Sequence, residues 1–82
     1  MPNKANSVVL TLTCINTPAI QVSFEPDGAQ HELKQGDSFG VEISATELGD
    51  AEISYLPDGL IVGAWSSAKT RAWNRAGNEL AL

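Results

Sequence analysis

Hydrophobic and polar residues alternate along most of this chain. In the first such segment, Ser7 to Ile15, the residues Val8, Leu10, Leu12 and Cys14 share one face. This alternation is typical of a half-buried β-strand, because successive side chains of a strand point to opposite faces. Further strands are predicted at residues 19–25, 30–33, 38–44, 51–56, 60–66 and 69–75. No window has a sustained helical period of apolar residues, so the pattern predicts an all-β chain.

One strand-and-turn sequence occurs twice. Residues 21–28 read QVSFEPDG, and residues 52–59 read EISYLPDG. In a turn, proline presets φ at the first central position and glycine accepts the left-handed conformation that follows. Each copy therefore predicts a β-hairpin with a type I turn closed by a glycine bulge.

The spacing of strands and turns predicts a fold class. About seven to eight short antiparallel strands, with turn signals every eight to twelve residues, are typical of a compact β-sandwich or a small barrel. A length of 82 residues allows one domain. We expect a disordered N-terminal tail at residues 1–6 and a single β domain at residues 7–82. Residues 44–47 (Ser-Ala-Thr-Glu) have a capping-box spacing, which leaves two alternatives at residues 45–48, one helical turn or an irregular crossover loop.

Residues 54–80 resemble one blade of a WD-repeat β-propeller. The shared features are Tyr55, the Pro-Asp-Gly turn at residues 57–59, an apolar strand, Trp73-Asn74 and the turn glycine Gly77. A propeller closes only with several blades. Here Asn74 stands where the repeat has Asp, and no Gly-His pair precedes it. We interpret the match as shared hairpin chemistry rather than membership of the family.

Charge and cysteine content exclude several classes of function. The net charge is −5, and residues 19–58 hold nine of the ten acidic residues with Lys34 as their only cation. Nucleic-acid binding is disfavoured, because that affinity comes from a basic surface. No segment approaches the length of a membrane span. The single cysteine, Cys14, excludes an internal disulfide and is expected to be a buried small hydrophobe, so we expect a cytoplasmic protein.

Catalytic and metal sites are not indicated. A nucleophile needs a positioned base, and nothing in the spacing pairs Cys14 with His31, the only histidine. We expect His31 at the solvated end of a hairpin. A structural zinc site usually takes four Cys or His ligands, and the acidic residues lack the spacing of a calcium loop. We therefore expect no enzyme activity, no metal and no cofactor.

The last predicted strand carries the candidate binding residues. Lys69, Arg71, Trp73 and Arg75 alternate, so they project from one face, and we call these four residues the basic stripe. The small residues between them predict close packing of the opposite face. If residues 60–66 pair with this strand, Trp65 lies near Trp73. Trp and Arg are enriched in interface hot spots, and Arg beside Trp forms cation–π contacts.

Three interpretations of the stripe stay open. It is a solvated face whose cations pair with Glu42 and Glu52, a surface that binds an acidic protein partner, or, with Trp65, a stacking platform for a carbohydrate or other flat ligand. We expect a non-catalytic protein-interaction or assembly module, with a protein partner or self-association through an edge strand. The alternative is a ligand-binding domain with tryptophan stacking.

Overall fold

The computed structural model describes residues 6–82, which form seven β-strands and no helix. The strands are β1 (Asn6–Thr13), β2 (Ala19–Phe24), β3 (Ala29–Lys34), β4 (Ser38–Ala45), β5 (Glu52–Leu56), β6 (Gly59–Gly63) and β7 (Lys69–Asn74). The all-β prediction is confirmed. Residues 46–51 form an irregular connection rather than a helical turn. The predicted tail at residues 1–6 lies outside the described residues, apart from Asn6, where β1 begins.

The strands form two sheets, as predicted for a β-sandwich. A three-stranded antiparallel sheet has the order β1-β4-β7, and a four-stranded sheet has the order β3-β2-β6-β5. Both predicted hairpins occur, β2–β3 and β5–β6, and together they form the four-stranded sheet. The two hairpins meet where β2 pairs with β6 in parallel, so not all strand pairs are antiparallel as predicted. The blade-like segment at residues 54–80 is divided between the two sheets.

The two Pro-Asp-Gly turns use their glycines differently. Gly28 has a φ of 79°, as predicted, and its N–H donates to the Phe24 carbonyl at 2.8 Å. The prediction is wrong for Gly59, which has no positive φ and begins β6. A Cβ at Gly59 would overlap the backbone carbonyl oxygen of Gln21 on β2. Gly59 is therefore required for the close approach of β6 to β2 rather than for the turn.

The inner faces of the two sheets form one hydrophobic core. Its largest fully buried side chains are Phe24, Leu33, Ile43, Val22, Val41, Val62 and Cys14. Cys14 is thus a buried small residue, as predicted. The prediction for His31 is wrong, because it pairs with Val22 on the inner side of β3 and is half-buried. The His31 ring packs edge-on against Phe24 and Phe39, and its Nε2 lies 2.7 Å from the Ala81 carbonyl oxygen.

Four connections pass from one sheet to the other, and they are tied together in pairs. At one end, the β1–β2 and β3–β4 connections share backbone hydrogen bonds, including Gly36 N–H to the Cys14 carbonyl at 2.8 Å and Gln35 N–H to the Pro18 carbonyl at 2.9 Å. At the other end, Trp65 from the β6–β7 connection donates its Nε1–H to the Glu47 carbonyl at 3.2 Å. Each end of the sandwich is therefore held by two crossovers in contact.

The contact between β2 and β6 generates a stability prediction. Gly59→Ala is expected to destabilise the fold by about 1–3 kcal/mol, because the added methyl group overlaps backbone that cannot move without separating the hairpins. Chemical denaturation measures the free energy of unfolding. Gly63→Ala is the matched control on the same strand, since its Cβ would meet only the Glu52 carbonyl oxygen, at 3.8 Å. Equal losses in the two variants would contradict this role of Gly59.

Candidate functional site on the three-stranded sheet

Strand β7 places most of the basic stripe on the outer face of the three-stranded sheet. Ala72 is fully buried against the core, so Lys69, Arg71 and Trp73 point away from it. The predicted packing of small inward residues is therefore confirmed at Ala72. Arg75 lies just beyond the end of β7, in the turn that follows. It stays near the same face, because its Nη2 donates to Ser38 Oγ at 3.3 Å and its Nε lies 3.8 Å from Asp37.

The pairing of residues 60–66 with the stripe strand, the condition for placing Trp65 near Trp73, does not occur. Strand β7 pairs with β4, whereas β6 belongs to the other sheet, so residues 64–68 are a crossover and not a hairpin turn. Trp65 consequently lies apart from the outer face. It packs against the core and against Gly49, where any Cβ would overlap its indole ring. Trp73 is the tryptophan that remains on the candidate surface.

Arg71 is held in place by two neighbours. Its Nη2 and Nε donate to the two carboxylate oxygens of Glu79, at 2.8 and 3.2 Å. Its guanidinium carbon also lies 4.9 Å from the centre of the Trp73 ring, which is a cation–π distance. Glu79 reaches this position because residues 74–78 reverse the chain and Glu79 forms a β-bridge with Trp73. Arg71 and Trp73 therefore present a pre-oriented guanidinium group and indole ring on the outer face.

The electrostatics of this pair follow from the same contacts. The hydrogen bonds from Arg71 lower the pKa of Glu79, although partial desolvation opposes this shift. The bond to Glu79 raises the pKa of Arg71, and the charge of Glu42 adds a smaller contribution. Glu42 is directly opposite Arg71 in the β4–β7 register, as predicted for a cross-strand partner, but the salt bridge forms with Glu79. Glu52, the other predicted partner, lies on β5 in the four-stranded sheet.

Sequence reasoning missed a glycine at the centre of this face. Gly40 lies on the central strand β4, directly between Thr11 of β1 and Trp73 of β7. Its φ is not positive, and a Cβ built there would have no neighbour within 4 Å. An ordinary side chain would therefore fit at this position. It would also favour the fold, because glycine weakens the interior of a strand. The available signal was the run Phe39-Gly40-Val41, where glycine takes a polar outward position of an alternating strand.

The other residues considered for chemistry, Cys14 and His31, contact different neighbours in the described part of the chain. Cys14 Sγ lies 3.5 Å from the Thr17 carbonyl oxygen. His31, on β3, packs against the rings of Phe24 and Phe39. Residues 6–82 contain no group of three or more His, Cys, Asp or Glu side chains arranged to hold a metal ion. Within the same residues, no helix has the length and apolar character of a membrane span.

Comparisons with known proteins add no family to this description. The chain matches none of the protein-family models, curated proteins or solved structures with which it was compared. A function for this chain is therefore inferred from its own residues and their arrangement.

The Arg71–Glu79 pair generates a pH prediction. The lowered pKa of Glu79 means that the contact contributes stability above the ordinary glutamate pKa and loses it as the pH falls through that lowered pKa. An NMR titration of the Glu79 carboxyl carbon should give a lower pKa in the wild type than in Arg71→Gln. Lys69→Gln is the control, and it should move the pKa less, because the charge of Lys69 is the smallest contribution. An unchanged pKa in Arg71→Gln would contradict the assignment.

Proposed function

We propose that this chain is a non-catalytic protein-interaction or assembly module that docks a partner on the outer face of the three-stranded sheet. The observation that carries the proposal is Gly40. This glycine weakens the central strand, and no contact or backbone angle within the described residues requires it. A glycine in a strand interior commonly marks a site where another chain or ligand approaches closely. A partner side chain placed over Gly40 would contact the edge of Trp73.

The pre-oriented Arg71 and Trp73 support binding at this position. Association must restrict the side chains that it uses, and each long side chain loses about 0.5–1.5 kcal/mol of conformational freedom when it is fixed. Arg71 is already restricted by Glu79 and by the Trp73 ring in the free protein. Arginine and tryptophan are also among the residues that most often dominate interface energies.

The chemistry of the face favours a partner segment that carries carboxylates. Arg71 has its charge balanced by Glu79, whereas Lys69 at one end of β7 is exposed and makes no salt bridge in the described structure. Arg75, at the other end, is 65% exposed and only loosely paired with Asp37 at 3.8 Å. A partner with acidic residues at the two ends of an apolar contact would therefore complement Lys69, Trp73 and Arg75.

The alternative of a ligand stacked between two tryptophans loses its geometric support. Trp65 packs on Gly49 at the end of the sandwich, and Trp73 stands beside Gly40 on the outer face. A single half-exposed tryptophan next to an arginine suits a protein contact at least as well as a sugar ring.

The test is capture of a partner from source-cell lysate on immobilised protein. We expect a partner, or further copies of this chain, to be retained by the wild type and lost by Gly40→Val and by Arg71→Glu/Trp73→Ala. Valine at Gly40 occupies the open position while adding a favourable strand residue, so the stability should stay within roughly 0.5 kcal/mol of wild type or increase. Circular dichroism and thermal unfolding check that each variant folds.

Ser23→Val provides the matched control, since Ser23 is an outward position on β2, a central strand of the other sheet. It should retain the partner. Equal recovery on the wild type, Gly40→Val and the double variant would identify the stripe as a solvated face and end this proposal.

A further inference from the structure

The four-stranded sheet is one strand wider than the sheet that covers it, and β5 is its outermost strand beside β6. The exposure of the β5 side chains shows that the wider sheet extends beyond the other sheet at this strand. Ile53 pairs with Val62, which is buried in the core, so both side chains lie on the inner face. Ile53 is nevertheless 44% exposed, and Tyr55, two residues further along the same face, is 84% exposed. The apolar inner face therefore continues into solvent at β5.

The backbone of β5 is also open on one side. Within residues 6–82, β5 pairs only with β6, so the N–H and C=O groups along its outer edge have no strand partner. In natural proteins, lysines, prolines, bulges or covering loops usually prevent an edge strand from pairing with a further strand. The segment Ile53-Ser54-Tyr55-Leu56 contains no charge and no proline, and it runs regularly in register with β6. This edge is competent to pair with another strand.

Charge indicates which strand would pair there. Residues 46–63 contain Glu47, Asp50, Glu52 and Asp58 and no Lys, Arg or His. Three of these, Asp50, Glu52 and Asp58, flank β5 at its two ends. A second copy of this chain fits poorly, because antiparallel pairing of β5 with itself about Ser54 brings Asp50 of each copy opposite Asp58 of the other. A strand with cations at both ends removes this repulsion.

We propose that β5 accepts an extended segment of another protein as a fifth strand, with apolar residues opposite Ile53 and Tyr55 and Lys or Arg at both ends. Main-chain hydrogen bonds supply affinity in this mode of recognition, and alternate side chains supply specificity. Tyr55 and Leu56 of β5 also line a groove of about 490 Å³ together with Ile15. This surface is separate from the basic stripe, and the inference does not rest on the function proposed for that stripe.

A synthetic probe follows from the antiparallel register. The peptide acetyl-Lys-Thr-Val-Thr-Val-Lys-Lys-amide sets its two valines opposite Tyr55 and Ile53, and its lysines beside Asp58, Glu52 and Asp50. One control peptide replaces every lysine with glutamate. A second control is N-methylated at both valines and both threonines, which removes backbone donors and leaves the charges in place.

Binding is measured by fluorescence anisotropy of the labelled peptide and by amide hydrogen exchange of residues 52–56. We expect binding of the first peptide with slower exchange across β5, and no binding of either control. Tyr55→Lys and Glu52→Lys should each weaken binding about tenfold. Tyr55 is 84% exposed, so its substitution should leave the fold intact. Glu42→Lys, on the outer face of the other sheet, is the matched control and should bind as the wild type does.

Three results would overturn the inference. Absence of binding would do so directly, and equal binding of the N-methylated peptide would reduce the interaction to charge attraction. Protection of β5 in the peptide-free protein, together with a concentration-dependent dimer, would identify a second copy as the occupant. The Arg71→Glu/Trp73→Ala variant separates the two proposals, because it should bind this peptide as tightly as the wild type whatever happens at the basic stripe.

Discussion

The approach of β6 to β2 at Gly59 is the contact on which the rest of the structure depends. Two backbone hydrogen bonds mark the two ends of this strand pair. Gln21 N–H donates to the Asp58 carbonyl at 3.1 Å, and Glu25 N–H donates to the Val62 carbonyl at 2.9 Å. Two isolated hairpins are at best marginally stable in water. Joined through this parallel pair, they become a four-stranded sheet that brings Val62 into the same buried layer as Phe24. The three-stranded sheet packs on that layer.

The strands were predicted well, because the alternation of apolar and polar residues that defines a strand lies within the strand itself. Alternation sets which face is buried, and it placed β2, β4 and β7 within a residue of their observed ends. The order of strands is set by long-range contacts, which leave little trace in neighbouring residues. The turn-like residues 66–68 therefore suggested a hairpin that would bring Trp65 near Trp73, although they belong to a crossover between the sheets. Gly28 and Gly59 show the same limit, since identical motifs serve a turn conformation in one copy and a backbone contact in the other.

The candidate surfaces differ in how far sequence could find them. Strand parity was enough to place Lys69, Arg71 and Trp73 on one face. The link from Arg71 to Glu79 required the chain reversal at residues 74–78, and the exposure of Tyr55 required the unequal widths of the sheets. The uneven charge of the sequence also acquires a spatial meaning. The cations of β7 lie beside Glu42 and Glu79, whereas residues 46–63 around β5 contain four acids and no cation. The surface around β5 therefore favours the approach of a cationic partner.

The paired crossovers at the two ends of the sandwich have a mechanical consequence. Sliding one sheet along the other requires both ends to open, because the hydrogen bonds of Gly36 and Gln35 hold one end and Trp65 holds the other. The two sheets therefore resist shear parallel to the strands, whereas the overhanging strand β5 can peel away by losing contacts with β6 alone. A load applied along the strands would meet a stiff body, and the same load applied across β5 would meet a compliant one.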